Sequence, residues 1–154
     1  MRLPIAAAIS LAASSSVVAQ TTPASADFTN ATPVAGEWRY ESTATGTEAV
    51  FNSSAGYPQI WIDCVRANRH VTIARLATAA APMISVWTSS ATRAVPAAFN
   101  PATRRLTIDL VTYDPLLDAI VSSRGRVAFT IGSDPALVVP AWAEVARVID
   151  DCRG

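Results

Sequence analysis

The 154-residue chain is 51% hydrophobic and 16% charged, enough for one compact domain and too little for two ordinary ones. Its twelve basic side chains are all arginine and balance twelve acids, so the formal charge is zero. That balance excludes the strongly basic field on which nucleic-acid binding depends, and the lack of lysine reads as GC-rich coding bias.

Residues 1–19 have the form of a secretory signal: Arg2, an apolar run from Leu3 to Ala13, then small residues ending in Val17-Val18-Ala19. Cleavage is expected after Ala19, with Ala24-Ser25-Ala26 as a second site. The apolar run falls short of the about 18 residues a membrane span needs, so the mature chain is expected to be soluble and periplasmic or secreted. Residues 20–35, rich in Thr, Ala, Ser and Pro with the lone aromatic Phe28, show no periodicity and read as a flexible lead-in. Residues 36–154 form the single domain. Asn30 and Asn52 open glycosylation triplets, which matter only in a eukaryotic secretory pathway.

Cys64 and Cys152 are the only cysteines. An even count in an exported chain favours one structural disulfide. A redox pair needs closer spacing, and a metal site needs further His or Cys ligands. Free or intermolecular thiols are the competing reading.

From Gly36 the pattern has period two, the mark of half-buried strands. Trp38 and Tyr40 alternate with charged residues, Ala49 and Phe51 follow, and Pro58 to Val65 places Ile60, Ile62 and Cys64 on one face with Trp61 and Asp63 on the other. Arg69–Leu76, Met83–Thr88, Thr92–Phe99 and Arg104–Val111 continue the strands. Pro96, which cannot donate to a ladder, marks an edge or bulge in the third of these. Ala77–Pro82 reads as a loop.

Asp114-Pro115 is a helix start: the Asp side chain accepts from open backbone donors, and Pro stands where no donor is needed. That helix carries Leu116, Leu117, Ile120 and Val121 inward and ends at Gly125. Val127, Phe129 and Ile131 alternate as a strand, and Leu137–Val139 is its hairpin partner. After Pro140 a helix is expected with Trp142, Val145, Ile149 and Cys152 along one face, which brings the second cysteine to the core.

His70 is the only histidine, so any Ser-His-Asp mechanism must use it, yet no nucleophile signature accompanies it. Asp114 with Asp118, and Asp150 with Asp151, have simpler roles at a helix start and around a helix than as acid–base or metal pairs. No metal or cofactor is expected. Arg39, Arg69, Arg75, Arg105 and Arg126 fall on outward strand faces and, if the sheet gathers them, form a site for a small carboxylate or phosphate ligand. The simpler alternative is cross-strand pairing with Glu37, Glu41, Glu48 and Asp109. Ser122 to Arg126 reads as a helix exit rather than a recognition loop. Trp61 and Trp87, if they share an outward face, make an apolar patch for a partner, whereas a two-sheet sandwich buries one of them.

The segments DPLLDAIVSSRGRVAFTIG and LVVPAWAEVARVIDDCRG resemble a family of short, uncharacterised exported bacterial proteins, with an early Trp like Trp38, a mid-chain Cys like Cys64 and a terminal Cys-Arg like Cys152-Arg153. The resemblance covers about the last third of the chain and carries over no catalytic site. A looser likeness in layout links the chain to the invasion-associated locus B proteins.

The expected fold is mainly β, a β-rich α+β domain: a small antiparallel β-sandwich or curled sheet with one short helix and a C-terminal helix packed on it. The expected function is a non-enzymatic, exported module that binds a protein, the envelope or a small anionic ligand. The alternative is a small hydrolase using His70 with a nearby Ser or carboxylate.

Overall fold

The computed structural model describes residues 26–154; the leader, its cleavage after Ala19 and the first part of the lead-in lie outside them. The described residues fold as two antiparallel sheets and two helices. The first sheet has six strands: β1 (Gly36–Ser42), β2 (Gly46–Ser53), β3 (Pro58–Val65), β4 (His70–Leu76), β7 (Ala98–Asn100) and β8 (Arg105–Val111), in the order β1-β2-β3-β4-β8-β7. The second has four: β5 (Met83–Trp87), β6 (Thr92–Pro96), β9 (Val127–Thr130) and β10 (Leu137–Val139), in the order β10-β9-β5-β6.

The period-two pattern sets which side of each strand is buried. Phe51, Ile60, Ile73 and Ile108 from the first sheet and Ile84 and Phe129 from the second are at most 1% exposed, and together they form the centre of the core. Each such side chain contributes about 1.5–3 kcal/mol of burial relative to exposure. The four-stranded sheet covers only part of this inner face: β5 approaches β8, while a C-terminal helix, α2 (Ala143–Arg153), crosses β1, β2 and β3.

Thr92–Phe99 is not one strand. Pro96 has no N–H with which to extend its pairing opposite Met83, so the ladder of β6 ends there. Ala97 then donates to Pro82 O (2.9 Å), and Ala98 begins β7 in the other sheet. The expected edge strand is therefore the corner at which the chain passes from one sheet to the other.

The first helix, α1 (Pro115–Val121), starts as its sequence dictates. Asp114 Oδ1 accepts from Leu116 N at 2.8 Å, and Pro115 occupies the first turn. It stops before Gly125, because Ser122 N–H closes on Asp118 O and Ser123 is drawn into the protein. Ser123 Oγ donates to Arg126 O and accepts from Ser89 N (3.0 Å), so the exit is tied to the β5–β6 turn. Gly125 serves the turn between α1 and β9 instead, at φ +76.

In α2 the buried stripe is Val145, Val148, Ile149 and Cys152. Trp142, expected on it, is 46% exposed. It is the N-cap, in extended backbone at φ −117, ψ 166, and helical spacing does not reach a residue outside the helix. The last residue of the stripe bonds to β3: Cys64 and Cys152 form a disulfide with Cα atoms 5.4 Å apart, and both residues are buried. Two hydrogen bonds from β1 add to the contact, Tyr40 Oη to Asp151 Oδ2 (2.7 Å) beside the disulfide and Trp38 Nε1 to Pro140 O (2.9 Å) just before the start of α2.

Residues 28–35, expected as part of a free lead-in, are attached to the body. Val34 N donates to Val138 O on the outer edge of β10, Ala35 O accepts from Ser54 N, and Ala31 O accepts from the Arg126 guanidinium. Each uses a backbone group of the segment. A segment without hydrophobic periodicity gives no sign of them.

Candidate functional site

The five arginines expected on outward strand faces go to five different places. Arg39 is exposed on β1 and pairs with Glu37 of its own strand at 2.6 Å. Arg69 sits in the β3–β4 turn at φ 56, with its guanidinium 3.4 and 3.3 Å from the carbonyls of Arg153 and Gly154. Arg75 lies on the inner side of β4, in phase with Val71 and Ile73, and reaches across to the second sheet. There it donates to Phe129 O and Pro135 O, both at 2.7 Å, and burial pulls its pKa below the ordinary guanidinium value against the opposing charge of Asp134. Arg105 places its guanidinium carbon 3.6 Å from the Trp61 ring centre. Arg126 precedes β9 and holds Ala31. The pattern that put all five outward fails at Arg75 because inner-face alternation continues to the strand end, where a long side chain reaches backbone carbonyls of the facing sheet.

Of the acids expected to neutralise them, Glu37 pairs with Arg39, whereas Glu41, Glu48 and Asp109 fall into a row of their own. Strand register aligns Glu41 with Glu48, Glu48 with Asp63, Asp63 with Thr72 and Thr72 with Asp109, a row across the outer face of the first sheet. Glu48 is pushed up to about 7, first by burial, then by its hydrogen bond to Asp63 and that group's charge; Glu41 and Arg105 oppose the shift. Among the described residues no three His, Cys, Asp or Glu side chains are arranged to hold a metal ion. The Glu41–Glu48 pairing follows from the short β1–β2 turn, so it was legible once the turn was counted.

His70 faces outward on β4, one-third exposed, with Nδ1 2.7 Å from Asp109 Oδ1. A carboxylate thus orients the ring, but no described hydroxyl is hydrogen-bonded to it. The other carboxylate pairs separate: Asp114 goes to Arg93 (2.8 Å) and Asp118 to Arg153 (2.7 Å), while Asp151 accepts from Tyr40.

The two tryptophans lie on different sheets. Trp61, on the outer side of β3, is 6% exposed because Arg105 covers it. Trp87 is half-buried on the outer face of the second sheet and meets Phe28 edge-on, centroids 5.9 Å apart. Around Trp87 lies a groove of about 500 Å³. Its floor follows from register: Thr92, Trp87 and Ala128 form one row across β6, β5 and β9, and Ala94, Ser85 and Thr130 the next. A broad ring beside a row of small side chains leaves a trough. Phe28 closes one side and the Gly132–Ser133–Asp134 turn another. Two further depressions, beside Asp150 and Asp151 and at the β1–β2 edge, have no aromatic lining.

Sequence reasoning singled out Trp87 but not this trough, since it depends on which strand residues stand opposite it and on an attached Phe28. Comparison with family models, with curated proteins and with solved structures finds no match in any of the three.

Proposed function

We propose that the protein is an exported, non-enzymatic binding module, periplasmic or secreted, that engages its ligand or partner through the outer face of the four-stranded sheet. The single observation that carries this reading is the groove at Trp87, a concave surface that joins aromatic and polar side chains. The buried Cys64–Cys152 disulfide supports maturation in an oxidising compartment, which agrees with the leader-like first nineteen residues.

The hydrolase reading draws on one observation, the His70–Asp109 hydrogen bond. A carboxylate-oriented imidazole is half of a nucleophilic device and needs a hydroxyl at its other nitrogen. The pair stands on an open sheet face, apart from the groove.

The test is expression of the whole precursor with a photocrosslinking residue at Thr92, in the groove, or at Glu41, on the first sheet. Adducts from position 92 and none from position 41 are the expected result. Adducts from position 41 alone, or a hydrolytic activity abolished by His70→Ala, overturn the reading.

A further inference from the structure

Resting on that assignment of the binding face, we propose that the Trp87 groove takes a neutral saccharide. The groove's chemistry narrows the choice. Its lining carries four hydroxyls, from Ser85, Thr92, Thr130 and Ser133, and one carboxylate, Asp134, with no basic side chain. An anionic ligand would find no cation there and would face Asp134; the nearby Arg75 is turned away to the carbonyls of Phe129 and Pro135.

The hydroxyls are available. Thr88 and Ser123, close in sequence or space, spend theirs on the carbonyls of Ala91 and Arg126, whereas no described residue engages those of the groove. Each hydroxyl offers one donor and two acceptor positions, and the carboxylate offers acceptors only. A wholly apolar ligand would strip water from all five groups and return nothing. A compact cation would satisfy Asp134 and the aromatic rings but leave the hydroxyl protons without acceptors. A sugar ring supplies donors and acceptors along its edge and an apolar face of C–H groups for the indole. Trp87 lines the trough beside the small row Ala94, Ser85 and Thr130, so an aromatic ring and a polar row stand side by side there. The volume, about 500 Å³, lies in the range of small-molecule sites.

The experiment is a chemical-shift titration of the whole processed, disulfide-bonded protein with neutral di- and trisaccharides of hexoses and N-acetylhexosamines, and separately with choline and inorganic phosphate. Saturable shifts at Ser85, Trp87 and Thr130 with a neutral saccharide are expected. Ser85→Ala and Thr130→Val, which remove the hydroxyls without adding bulk, should each weaken that binding by about threefold to tenfold. Trp87→Ala should weaken it more, and His70→Asn on the opposite sheet should leave it unchanged. If no member of the saccharide panel shifts these residues, or only choline or phosphate does, the inference is overturned. A protein partner crosslinked at position 92 together with silence from every sugar would overturn it too, while leaving the binding face intact; adducts from position 41 alone would remove both.

Discussion

The guanidinium carbon of Arg105 sits 3.6 Å from the centre of the Trp61 ring, so an indole on the solvent side of a central strand keeps only 6% of its surface exposed. The cover over this indole is one long side chain on β8. Arg105→Ala removes a cation–π contact worth about 0.5–1 kcal/mol and uncovers apolar surface as well, for an expected loss of about 1–2 kcal/mol. Arg105→Lys keeps the charge and part of the cover and should cost less. Urea denaturation of the three proteins measures the order; an alanine variant as stable as the parent would show that the stacked geometry contributes nothing.

Glu48 gives the same face a pH dependence. Its carboxyl is pushed up to about 7 in the folded protein, against an ordinary value of 4.5 taken for the unfolded chain. Between those values the folded state holds the proton more tightly, so the stability this group contributes is fully present below about 4.5 and is lost as pH rises through about 7. Asp63 and Glu41 face it from the neighbouring strands, Arg105 supplies the countercharge, and the His70–Asp109 pair stands farther along the same face. Glu48→Gln stays neutral throughout. The parent's urea midpoint should fall further between pH 5 and pH 8 than the variant's, and equal falls would remove Glu48 from the pH response. Arg105→Ala should raise the Glu48 pKa further, which a carboxyl-carbon NMR titration reads directly.

The covalent link between β3 and α2 closes a sequence separation of 88 residues, a constraint on the unfolded chain worth about 4.6 kcal/mol in the chain-entropy model. Cys64→Ala with Cys152→Ala should lose about that amount, a large share of the roughly 5–15 kcal/mol typical of such a domain. The backbone at this link is also sterically tight. Gly46 pairs with Val65, and a side-chain carbon added there would overlap the Cys64 carbonyl oxygen. Gly46→Ala should therefore cost about 2 kcal/mol or more with the disulfide still formed. Thiol alkylation before and after reduction reports the bridge, and denaturation of the alkylation-resistant protein reports the stability. A fully stable Gly46→Ala protein would mean that the β2–β3 ladder opens locally at little cost.

What the sequence made legible was the strand alternation, the Asp114-Pro115 helix start and the place of Cys152 on a buried stripe, because each is a local pattern with a local cause. The two-sheet arrangement was one of the expected forms for the same reason. What escaped depends on non-local partners. Arg75 looked like any polar residue at a strand end, and only the second sheet gives it carbonyls to reach. Trp61 looked like an exposed aromatic until β8 brought Arg105 over it. The acid row needed the register of five strands, and the groove needed three, together with a Phe28 whose surrounding composition suggested no attachment at all.

That attachment leads to a further expectation. Phe28 meets Trp87 edge-on, a pair worth about 0.5–1.5 kcal/mol beyond its area, while Ala31 O accepts from the Arg126 guanidinium, Val34 N donates to Val138 O and Ala35 O accepts from Ser54 N. Phe28→Ala therefore removes one of several anchors, and none that the core uses. The segment from residue 28 to 30 should be cut faster by a protease than in the parent, with the urea midpoint changed by less than the equivalent of about 1 kcal/mol. The Val34 amide should keep most of its protection, because its acceptor, Val138 O, lies on β10. If instead the whole domain lost stability by several times that amount, the aromatic contact would belong to the cooperative core, and the wall of the groove would be as permanent as the sheet beneath it.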